Sequence, residues 1–154
     1  MIDDLRFEFK IGVFLISKWL LFMNSGPQKI TALDIENRLI NFSVRVMKMA
    51  ETMPNSVAAK HLASQIIRSA TSPALNYGEA QNAESIDDFL HKMKICLKEL
   101  RETLVCLKII DQRGWFAQGK LSPLLKENNE LLSIFTASTK TIVNNKSNNQ
   151  KSKS

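Results

Sequence analysis

The chain has 154 residues, 44% of them apolar, with 5 Gly, 4 Pro and 2 Cys, which fits one domain and excludes a disordered chain, a collagen, a solenoid or a disulfide-rich scaffold. Few Gly and Pro among many Leu, Ile, Lys, Glu and Ala favour long helices over short strands, so the expected class is all-α. The formal net charge of +6 hints at a polyanion partner, but residues 1–27 carry three acids and three bases, and the tail from Asn144 carries Lys146, Lys151 and Lys153 without an acid. Only about half of the excess charge belongs to the intervening region.

Residues 1–30 form an N-terminal extension whose stretch Ile11 to Met23 is apolar apart from Gly12, Ser17 and Lys18. Thirteen residues are too few to span a bilayer, which takes about 20. The acids Asp3, Asp4 and Glu8 do not suit a secretory leader. Three readings stay open: an extra packing helix, a membrane-surface segment, or a mis-assigned start with Met23 as the initiator.

From Thr31 the pattern turns helical. Ile35, Leu39, Phe42, Val46, Met49 and Met53 step by four and three along one seam. Pro54 ends this helix and Ser56 is placed to cap the next. The second helix, from about Val57 toward Gln81, is rich in Ala and Ser, which lets a neighbour approach closely, and Pro73 inside it predicts a kink. Ser85 reads as an N-cap with Asp87 and Asp88 in the first turn. In the third helix Leu90, Met93, Leu97, Leu100, Leu104 and Leu107 make an unbroken seam to an end at Arg113 and Gly114. A fourth helix, from about Ser122 to Asn144, turns Leu124, Leu125, Leu131, Leu132, Phe135 and Ile142 inward, with Pro123 in its first turn.

Four long helices joined by short connections predict an antiparallel up-down-up-down bundle over residues 31–143, followed by a disordered basic tail over 144–154. Ile95 and Ile109 lie off the seam of the third helix, where a monomer would be polar, and are candidates for a subunit contact.

The stretch from Ser64 to Ala80, in particular Gln65 with Arg68 and Asn76 to Glu79, followed by Glu84-Ser85, Asp88-Phe89 and Leu97 to Glu102, resembles the bacterial four-helix bundle family called 23S rRNA intervening-sequence proteins. The resemblance covers about Ile30 to Val143. It implies a small cytoplasmic bundle that assembles as a homopentamer. A related branch, the accessory variability proteins of diversity-generating retroelements, binds nucleic acid and a reverse transcriptase through a basic surface. The chain departs from the pattern in placing proline at Pro73, where many members have it at the position of Ala74, and residues 1–30 have no counterpart.

Catalytic and cofactor chemistry finds little to work with. Asp88 and His91 have the spacing of a bundle metal motif, but His61 has Ala58 at the matching position, so the second pair is missing and no metal or other cofactor is expected. Cys96 and Cys106, ten residues apart on one helix, cannot bond to each other and read as reduced core or interface thiols. Without a phosphate loop, a nucleophile elbow or a Cys-x-x-Cys pair, the expectation is not an enzyme.

Lys94, Lys98, Arg101 and Lys108 share one stripe of the third helix, extended by His91. They are candidates for tracking the phosphates of RNA or DNA, and a ring would multiply their field. The competing reading pairs them with acids, Glu99 and Glu102 close by on the same helix or others on a neighbouring helix or subunit, and the absence of interleaved aromatics tips the balance slightly to it. Arg68, Glu79 and Glu102 are expected to be partly buried and to form a structural bridge between the second and third helices, with an anion site at Arg68 as the sharper alternative. Two functions survive: an oligomeric accessory protein that binds nucleic acid, and a scaffold for a partner protein. A membrane role rests only on Phe9 to Met23.

Overall fold

A computed structural model describes residues 30–151. The extra packing helix, the membrane-surface segment and the start at Met23 concern residues 1–29, which lie outside the described residues. Four helices follow one another: α1 (Ala32–Glu51), α2 (Val57–Ala80), α3 (Ile86–Gln112) and α4 (Ser122–Lys151). Successive helices pack side by side and α1 closes the bundle against α4 along the thinnest of the four seams. No strand occurs among the described residues, so the chain is an all-α, antiparallel four-helix bundle. No helix among them is long and apolar enough to cross a membrane.

Local chemistry sets the helix starts. Thr31 accepts from the Asp34 amide while Asp34 accepts from the Thr31 amide, a capping box that satisfies two otherwise orphaned donors. Ser56 caps α2 through the Ala59 amide and Ser85 caps α3 through the Asp88 amide. At the end of α3, Gly114 has φ +67°, a left-handed conformation that glycine adopts without the clash a Cβ would bring.

The seams read from periodicity form the core. Ile35, Leu39, Phe42 and Val46 of α1 meet Ile66, Ala70 and Tyr77 of α2, Leu100, Leu107 and Ile110 of α3, and Leu131 and Phe135 of α4 in one buried cluster. Tyr77 and Phe135 stack edge to face with ring centroids 5.6 Å apart. The small residues of α2 admit polar cross-links as well as close packing. Ser43 of α1 donates to the Ala70 carbonyl at 2.7 Å, and Thr103 of α3 donates to Ser69 Oγ at 2.9 Å. Pro73 is buried within α2, which is helical on both sides of it. Its carbonyl accepts from Cys96 Sγ at 3.4 Å.

One boundary differs from the sequence reading. Helix α4 does not stop at Asn144 but runs to Lys151, into the stretch read as a disordered tail. No Gly or Pro interrupts residues 144–151, so the backbone ladder continues although Asn and Ser are poor helix formers. Lys146, on this extension, reaches Asp87 in the first turn of α3.

Candidate nucleic-acid interface on the third helix

Because α3 buries Phe89, Leu90, Met93, Cys96, Leu97, Leu100, Thr103, Cys106, Leu107 and Ile110 against its neighbours, the residues on the opposite side are fixed in register toward solvent. Lys94, Lys98, Arg101 and Lys108 are all exposed there, as is His91 one turn earlier. At 100° per residue the four cations fall within an arc of roughly 80° and span roughly 21 Å of helix axis. Among the described residues, none of the four has a carboxylate within ion-pair distance.

Several acids elsewhere are engaged. Glu127 and Glu130 of α4 are held by Arg38 of α1, with Nε to Glu127 Oε1 at 2.7 Å and Nη2 to Glu127 Oε2 at 3.1 Å. This fork-on-carboxylate clamp keeps Arg38 fully charged, its pKa raised by the hydrogen bond to Glu127 against some desolvation. It ties α1 to α4 across their thin seam, and sequence reading missed it, because partners 89 residues apart leave no local spacing signal. Asp87 is taken by Lys146.

The expected bridge between α2 and α3 is built differently from the sequence reading. Arg68 Nη2 lies 3.3 Å from Glu102 Oε1, and Gln65 also donates to that oxygen, but the Arg68 side chain is 67% exposed rather than partly buried. So long a side chain reaches past the seam of small residues into solvent, and an exposed pair of this kind contributes at most about 1 kcal/mol. Glu79 does not join Arg68. It pairs with Lys92 of α3, and the hydrogen bond to Glu79 raises the Lys92 pKa.

The two candidate subunit-contact residues also separate. Ile95 is half-buried, while Ile109 is 43% exposed and lies near Val105, itself 55% exposed. His61 and His91 are exposed and on different helices. Among the described residues no group of three His, Cys, Asp or Glu side chains is placed to hold a metal ion. Cys96 and Cys106 are buried and free, and burial pushes the Cys96 thiol up to about 12, so it carries no thiolate at neutral pH. A shallow, open depression of about 490 Å³ between α1 and α4 is walled by the Arg38 and Glu130 pair with Lys126. The loop between α3 and α4 sets the Arg113 guanidinium 5.2 Å from the centre of the Trp115 ring, a cation over an aromatic face near the end of the cationic line.

Comparisons with known proteins agree with this architecture. The family model described as 23S rRNA-intervening sequence protein matches residues 31–137. A crystal structure of a Bacteroides thetaiotaomicron protein, described as of unknown function and from the S23 ribosomal protein family, is 25% identical and superposes with a TM-score of 0.64 over 69% of this chain and 98% of its own. No curated protein matches the chain.

Proposed function

The chain belongs to the 23S rRNA-intervening sequence protein family, and from that premise we propose that it is a non-catalytic, oligomeric accessory protein of the cytoplasm that binds RNA or DNA through α3. One observation carries the reading: Lys94, Lys98, Arg101 and Lys108 line one exposed face without a carboxylate partner among the described residues. Paired cations would have spent their field on a neighbouring acid. Unpaired ones on a rigid helix present it to solvent, where a nucleic acid gains by releasing condensed counterions. A single chain offers few contacts, and assembly into a ring such as a pentamer repeats them around one polyanion.

The contact is with the backbone, so binding tolerates sequence and weakens steeply with salt. Fluorescence anisotropy of labelled RNA and DNA, titrated with the full chain over a range of salt, tests this. Replacing Lys94, Lys98 and Arg101 by Gln weakens binding and lowers the log–log salt slope by about 2 on a single strand and nearly 3 on duplex DNA for each chain in contact. Arg45→Gln with Lys48→Gln, on the far side of the bundle, leaves it unchanged. A slope that the triple variant does not alter removes the interface from α3.

A second reading, a scaffold for a partner protein such as a reverse transcriptase, is favoured by the exposed pair Val105 and Ile109. Under it Ile109→Glu abolishes association while salt and nucleic acid have no effect.

A further inference from the structure

Helix α1 is apolar on two opposite sides. Its inner seam, Ile35, Leu39, Phe42, Val46 and Met49, is buried. On the other side Leu33, Ile40 and Val44 are exposed at 63%, 45% and 37%. These three fall within an arc of roughly 40°, with half-buried Met47 continuing the line, and the stripe from Leu33 to Val44 is roughly 17 Å long. Among the described residues, the elements packed on α1 are α2 and, more thinly, α4, on its inner side. Scattered exposed aliphatics are ordinary on a protein surface, but three in register on the back of one helix form a surface suited to a further element.

We infer that residues 7–23 of this same chain dock along the outer face of α1 and cover Leu33, Ile40 and Val44. Three observations select this occupant. The stretch Phe7 to Met23 holds the large apolar residues Phe9, Phe14, Trp19, Leu20 and Phe22 in a segment with few charges. It joins α1 through only Asn24 to Thr31, eight residues that span at most about 28 Å, so it cannot move far from the stripe. Gly26-Pro27 within that connection is a turn signal, and connections of this length join antiparallel neighbours, which sends the segment back along α1 in the direction the stripe runs. Even wound compactly at about 1.5 Å per residue, Ile11 to Met23 would cover about 20 Å, the length of the stripe. Tethering makes the contact intramolecular, with a local concentration that a second copy of the chain must exceed to displace it.

Trp19 reports on the contact. The full chain carrying Trp115→Phe leaves Trp19 as its sole tryptophan. Its emission is expected to be blue-shifted and shielded from acrylamide, unchanged on dilution, and both properties are lost in Ile40→Ser with Val44→Ser. These side chains point away from the core, so circular dichroism keeps its helical signal; Ile40→Asn alone is the milder variant should the pair lower the melting temperature too far. Val57→Ser, at an 89% exposed site on α2, leaves Trp19 shielded. The inference is overturned if Trp19 is quenched freely in the parent, if shielding disappears on dilution as it would for a second copy, or if it survives the stripe substitutions.

Discussion

Asn128 is fully buried on α4, its Nδ2 donates to the Leu100 carbonyl of α3 at 3.1 Å, and its Oδ1 has no hydrogen-bond partner. One amide hydrogen bond is thus set against one stranded acceptor in an apolar layer, an arrangement that costs stability and fixes which residue of α4 faces Leu100. Asn128→Leu is expected to raise unfolding free energy by about 1 kcal/mol in urea denaturation while loosening the α3–α4 register. A loss of stability would show that the single hydrogen bond outweighs the stranded oxygen. The same accounting places the four cations of α3 at the opposite extreme: exposed and, among the described residues, without a carboxylate partner, they add little to folding.

At the scale of the helix, termini and faces divide the work. The Thr31–Asp34 box starts α1, and its hydrogen bonds from Thr31 hold the Asp34 carboxyl below its ordinary value. A carboxyl with a depressed folded pKa contributes stability that is present above the unfolded value near 3.8 and is lost as pH falls through the folded one. Thr31→Ala should therefore cost about 1 kcal/mol at neutral pH, and the difference from the parent should shrink in melts below pH 4. An unchanged difference at low pH would separate the cap from the carboxylate. The helix starts were legible in the sequence because caps are local: Ser56 and Ser85 sit where their residue types put them. The seams were legible for the same reason, since Ile35 to Met49 and Leu90 to Leu107 repeat at helical spacing. What could not be read depends on partners distant in sequence. The clamp of Arg38 on Glu127 and Glu130, the turn of Glu79 toward Lys92 instead of Arg68, and the burial of Asn128 are set by how helices face one another. The end of α4 lies beyond the apolar periodicity for a different reason: the composition of residues 144–151 favours no helix, yet the helix extends there without a Gly or Pro breaker. Of the candidate interface, the alignment of Lys94, Lys98, Arg101 and Lys108 was visible in the spacing. Whether acids met them was not, because that depends on which way Glu99 and Glu102 of the same helix turn and on acids carried by other helices.

For the whole molecule, the bundle supplies a rigid frame and chemistry enters only at its surface. Its core is aliphatic and aromatic, its two cysteines are buried thiols, and the clamp of Arg38 on Glu127 and Glu130 holds α1 to α4. Function on this account comes from repetition: one helix face carries a short cationic line, and assembly multiplies it into a field that a nucleic acid can follow. The direct measurement is multi-angle light scattering of the full chain at low and high salt, with and without a short RNA and a short DNA duplex. The account predicts an oligomer that takes up nucleic acid at low salt and releases it at high salt. An oligomer indifferent to nucleic acid at every salt, or a monomer, would contradict it.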